Sequence, residues 1–132
     1  MYKYAFILLI TASTLLLSCV TPSPSPQQAR IIKASRFQNS VEWNKLDGRL
    51  KQAWLTAYQE NDLARSFEIM IKTDGKISDN KNRVLFVNGF MTRSTIGSIA
   101  TGTVRAGDVP KVAKIEFVKV MELAIPMSIK RR

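Results

Sequence analysis

Between Ser66 and Lys72 the side chains alternate, with Phe67, Ile69 and Ile71 on one side of the chain and Glu68, Met70 and Lys72 on the other. A period of two belongs to a half-buried strand, so the chain must hold a sheet with one face covered. An all-helical fold is excluded by this segment alone. Thr73-Asp74-Gly75 then turns the chain. Two further strands are expected over Phe90–Ile96 and Ile99–Arg105, joined by Gly97-Ser98. Glycine at the first central position of such a loop suits a type II′ hairpin. A last strand is expected over Phe117–Leu123, and its inward set stays open between Val118/Val120 and Phe117/Met121/Leu123.

Helical spacing fills the gaps. Leu46, Leu50, Ala53, Trp54 and Ala57 recur every three or four residues, which predicts an amphipathic helix over Asn44–Gln59 with Trp54 as a core anchor. Asn44 is read as its cap, with Asp47 three residues on. Ser78–Val87 reads as a helix capped by Ser78 and stopped by Gly89. Asp108–Ile115 reads as a short one with Pro110 in its first turn. The order is a helix followed by β-α-β-β-α-β. That order predicts an α+β chain of ferredoxin-like design: one antiparallel sheet with both crossover helices on one face, plus an extra N-terminal helix. The open face and the two edges are where a partner has room to sit.

The N-terminal part is of another kind. Lys3, the apolar run Ala5–Leu17 and small Ser18 read as a secretory signal. The run is shorter than the roughly 20 apolar residues of a membrane span. Leu16-Leu17-Ser18-Cys19 resembles the lipobox of bacterial lipoproteins. That resemblance implies cleavage after Ser18 and acylation of Cys19, palmitate included, at the new N-terminus. An ordinary signal peptide or an uncleaved anchor are the other readings of the same run. Cys19 is the only cysteine, so it cannot form an internal disulfide, and acylation would consume its thiol. Val20 stands where the inner-membrane retention signal of enteric bacteria has Asp. The expected location is therefore the bacterial cell envelope, anchored by lipid in the outer membrane and facing the periplasm.

After Cys19, Pro22, Pro24 and Pro26 alternate with serines, which reads as an extended spacer. Arg30, Lys33 and Arg36 then arrive among Ile31, Ile32 and Phe37. Contact with anionic lipid headgroups and a solvated lead-in to the first helix are both open for this strip. The chain thus divides into a signal (residues 1–18), a tether (19–39) and a folded domain with a C-terminal tail (40–132).

Reactive chemistry is sparse. The 132 residues include 20 Lys and Arg, 10 Asp and Glu, and no His. Without His there is no Ser-His-Asp or Cys-His machinery and no His-bearing zinc site. Asp74, Asp79 and Asn80 lack the EF-hand spacing and suit turns and caps instead. Ser94–Ser98 lacks the nucleophile-elbow pattern. No catalytic residue, metal ligand or cofactor site is expected, and the chain reads as no enzyme. The net charge of +10 biases encounters toward anionic surfaces. Nucleic acid is not among the expected partners of an exported, tethered chain without an aromatic-basic binding motif.

Residues 44–124 resemble the propeptide module of subtilisin-like proteases. The likeness is carried by the opening strand, Gly89, the hairpin Ser94…Gly97…Ile99-Ala100-Thr101-Gly102, and the closing strand Phe117–Leu123. These are mostly glycine and apolar positions. The resemblance implies a protein-binding module that inhibits or chaperones a protease. No protease domain follows, so the action is expected in trans. In such propeptides the segment after the last strand enters the protease cleft, which makes Ile125, Pro126, Met127, Ser128 and Ile129 the expected partner-binding residues. The alternative is a structural component of an envelope assembly that lends contact surface without inhibiting anything.

Overall fold

A computed structural model describes residues 23–124. In chain order these form helix α1 (Pro26–Gln38), a 3-10 turn (Val41–Lys45), helix α2 (Gly48–Gln59), strand β1 (Ser66–Thr73), helix α3 (Asp79–Val87), strands β2 (Phe90–Ile96) and β3 (Ile99–Arg105), helix α4 (Val109–Ala113) and strand β4 (Val118–Leu123). The sheet order is β2-β3-β1-β4, with every neighbouring pair antiparallel. This is the ferredoxin-like order expected for the β-α-β-β-α-β part.

The alternation in β1 does what its period demands. Phe67, Ile69, Ile71 and Thr73 are buried, as are Ala100 and Val104 of β3 on the same face. Leu50, Trp54 and Ala57 of α2, Leu85 of α3, and Val109, Val112 and Ala113 of α4 join them in one core. The opposite face of the sheet carries no helix among the described residues. Strand β4 settles the two inward sets by using parts of both. Lys72 pairs with Val120 and Thr73 with Val118, so Lys119 is an extra residue at a bulge. The bulge breaks the period of two and lets Val118 and Met121 both turn inward.

A second bulge places Arg93 outside the β2–β3 ladder, because Thr92 pairs with Gly102 and Ser94 with Thr101. Glycine is required at position 102 by close approach. A Cβ there would overlap the Met91 carbonyl oxygen and stand 2.9 Å from the Phe90 ring. Gly97 has a different reason: its φ is +60°, as the first central residue of a II′ turn needs, with open space around it. The hairpin is docked onto the turn after β1. The Thr73 N–H donates to the Ser98 carbonyl at 2.8 Å, and the Ile77 N–H to the Gly97 carbonyl at 2.9 Å.

The helical lead-in departs from the expectations in two places. Within the tether read over residues 19–39, the chain is helical from Pro26 onward as α1. Ser25 caps it, Gln28 returns a side-chain bond to the Ser25 backbone, and Pro26 occupies the first turn where its missing N–H costs nothing. Phe37 is buried against Trp43 and Trp54, so the packed unit begins well before Ser40. The long helix begins later than read. Asn44 lies in the 3-10 turn, and Asp47 is the true cap, its Oδ1 accepting from the Leu50 N–H at 2.9 Å. Asn61 ends α2 in left-handed backbone (φ 59°), with the Asp62 N–H returning to the Ala57 carbonyl.

The two glycines separate by experiment. Gly102→Ala should cost about 3 kcal/mol, as overpacking against backbone. Gly97→Val should cost about 1–2 kcal/mol, the strain of left-handed backbone alone. Urea unfolding of the two variants checks the order, and a costlier Gly97→Val would contradict it.

Candidate functional site

The residues singled out from sequence, Cys19 and Ile125–Ile129, lie outside the described residues. Two surfaces within the described residues carry the remaining chemistry: the β2 border of the sheet, and a cleft beneath α1.

The two sheet edges differ. The outer edge of β4 is covered, because Leu46 bridges Met121 and the Asp47 N–H donates to the Met121 carbonyl at 2.9 Å. The Leu123 N–H donates to Asp47 Oδ1 at 3.2 Å, the same carboxylate that caps α2. The outer edge of β2 pairs with no strand among the described residues. Helix α3 flanks it, tied by a hydrogen bond of 2.6 Å between the Thr92 hydroxyl and Asn82 Oδ1. Large apolar side chains are exposed at both ends of this border: Phe86 (66%), Val87 (77%) and Met91 (62%) near its start, and Ile96 (78%) and Ile99 (38%) at the hairpin tip. A depression of roughly 400 Å³ lies among Phe86, Gly89, Met91, Thr103 and Arg105. On the open face, Met70, Lys72, Ile99, Val120 and Glu122 line a smaller hollow. Arg93 reaches from its bulge to an ion pair with Glu68.

The cleft beneath α1 holds roughly 430 Å³. Phe37 and Pro110 give it an apolar floor, and Lys33 and Arg36 of α1, Lys114 after α4 and Tyr58 of α2 line its walls. No carboxylate lines it, and none of its three cations forms an ion pair among the described residues. Burial pushes the Tyr58 phenol above its ordinary value despite nearby Arg30. Arg30 itself donates to Asn61 Oδ1, fastening α1 to the end of α2. Lys45, close by, points inward and donates to the carbonyls of Ala113 (2.8 Å) and Ile115 (3.1 Å); burial lowers its ammonium below the usual lysine value.

Five cations elsewhere are paired, Arg93 with Glu68 among them. Arg65 meets Glu60 and Asp62, Lys81 meets Asp74, and Arg105 and Lys111 both meet Asp108. Asp108 is nearly buried and packs where a Gly89 side chain would stand. These pairings give Asp74 a partner of its own and leave Asp79 in the first turn of α3, capped by Ser78.

Comparison with known proteins yields no match: no protein-family model, no curated protein and no solved structure is similar to the chain.

Sequence reasoning named the strip Arg30, Lys33 and Arg36 but missed its completion by Lys114. Nothing in a linear pattern joins positions so far apart. It anticipated the sheet edges as places for a partner but not the exposure of Phe86, Val87 and Met91 along the β2 one.

The Lys111 ammonium bound to Asp108, with Arg105 beside it, holds that carboxyl below the usual range. A carboxyl lowered in the folded state adds stability above its unfolded value, near pH 4, and that stability is lost as the pH falls through the folded value. Asp108→Asn should therefore cost about 1–2 kcal/mol at neutral pH, and its stability should converge with wild type in acid. Thermal unfolding across pH checks this, and a deficit that persists unchanged into acid would contradict it.

Proposed function

We propose that this chain is a lipid-anchored protein-binding module of the bacterial cell envelope. Acylated Cys19 holds it at the outer membrane, and a protein partner docks along the β2 border and the open sheet face. One observation carries the reading: large apolar side chains are exposed at both ends of the free edge, Phe86, Val87 and Met91 at one and Ile96 and Ile99 at the other. Single exposed apolar residues are ordinary, but several beside a free strand edge are surface that association can bury. The edge adds main-chain donors and acceptors to which an extended segment can pair. The partner class that fits the propeptide resemblance is a subtilisin-like protease, held on the sheet face while residues 125–129 enter its cleft.

Photocrosslinking in the envelope tests the reading with the full chain. A photoreactive residue at Met91 or at Ile96 should give one discrete adduct with a second protein, and the same residue at Arg49, on exposed α2, should give none. Equal adducts at all three positions, or none at the border, would overturn it. An adduct of twice the chain's own mass would favour the structural alternative over an inhibitor. Intact mass of the same protein reports the anchor: the chain should begin at Cys19 and carry acyl groups, and a free Cys19 thiol would refute that part.

A further inference from the structure

We infer that the cleft among α1, α2 and α4 is a binding site for the phosphate group of an anionic phospholipid headgroup. The assignment stands on the chemistry of the cleft and is independent of the protein-binding border. Lys33 and Arg36 sit on α1, and Lys114 closes α4, so three cations from two distant segments line one hollow. None of the three forms an ion pair among the described residues, and the carboxylate that Lys114 influences, Glu42, stands outside the lining of the cleft. Cations gathered around a cleft that no carboxylate lines form a site for an anion. The guanidinium of Arg36 suits two phosphate oxygens at once, and the ammonium groups act as point charges beside it. Tyr58 lines the same cleft.

The ligand is further narrowed by what is apolar. Phe37 and Pro110 line the same cleft, a surface suited to a glycerol backbone and the first methylenes of a chain, not to a bare inorganic anion. Ile31 and Ile32 point outward from α1, 68% and 42% exposed, and Ile32 stands one turn before Arg36. These exposed aliphatic side chains stand next to the basic ones that an anionic headgroup layer attracts. Ser25, the cap of α1, follows Cys19 by six residues, a reach of roughly 20 Å at full extension. With an acylated Cys19, the cleft is held within reach of headgroups throughout.

The test is amine footprinting of the full-length chain on lipid nanodiscs, read by mass spectrometry, with phosphatidylcholine discs set against discs containing phosphatidylglycerol. Each basic side chain near an anionic surface is worth about fivefold in affinity. Lys33 and Lys114 should both be labelled about fivefold less on the anionic discs, with Lys76 and Lys119 unchanged. Arg36→Gln, a surface change that leaves the core intact, should restore most of that labelling. Protection of Lys33 without Lys114, equal protection of all four lysines, or no difference between discs would overturn the site. A parallel arm with glycerol 3-phosphate in neutral detergent separates the source. Protection there, with none on discs, would assign a soluble phosphate ester and overturn the headgroup. The acyl state of Cys19 is read from the same samples, so loss of the anchor and loss of the site are distinguishable.

Discussion

The indole of Trp54 holds the two halves of the chain together. It is wholly buried on α2, and its Nε1–H donates to the Ala106 carbonyl at 2.9 Å, at the exit of β3. Phe37 of α1 and Trp43 of the 3-10 turn meet it edge-on, with ring centroids at 5.1 and 5.5 Å, and Tyr58 lies against it at 4.1 Å. One side chain thus ties the helical lead-in to the connection between sheet and α4. Removing a buried aromatic of this kind costs about 3–5 kcal/mol, a large share of the 5–15 kcal/mol by which a domain is typically stable. The hydrogen bond matters as much for what it prevents, since an unpaired buried donor costs about 1–3 kcal/mol.

The surfaces follow from that tie. Because Phe37 is drawn under Trp54, α1 cannot lie free as a spacer, and its Lys33 and Arg36 are brought over the end of α4 to meet Lys114. Because the helices spend their apolar faces on one side of the sheet, the other side stays open. Asp47 closes the β4 edge while capping α2, so the unpaired border falls to β2. The cationic cleft and the β2 border thus occupy different parts of one small fold.

Much of the sheet was readable from the chain because strands depend on a local period. The Phe67–Ile69–Ile71 set and the Gly97-Ser98 turn needed only their own neighbours. What escaped depended on partners remote in sequence. Lys119 bulges because of its pairing with β1, so the inward set of β4 had no local answer. Helix α1 did carry a signal in Ser25-Pro26 and Gln28, a capping box with proline in the first turn, which the surrounding Pro-Ser alternation concealed. Its placement depends on Phe37, whose partners Trp43 and Trp54 lie further along the chain. The border had no local sign at all: Leu85 is buried and Phe86 and Val87 are exposed, though all three are apolar neighbours on one helix.

Native-state hydrogen exchange by NMR on the full-length protein addresses the central claim, that the helical lead-in and the sheet form one cooperative core joined at Trp54. If they do, the Trp54 indole proton should exchange only through global opening, with the same free energy as the amides of Ile69 and Ile71 in the central strand. An indole proton that exchanges at a free energy lower by about 2 kcal/mol or more, while those strand amides stay protected, would show the lead-in opening on its own and contradict the account.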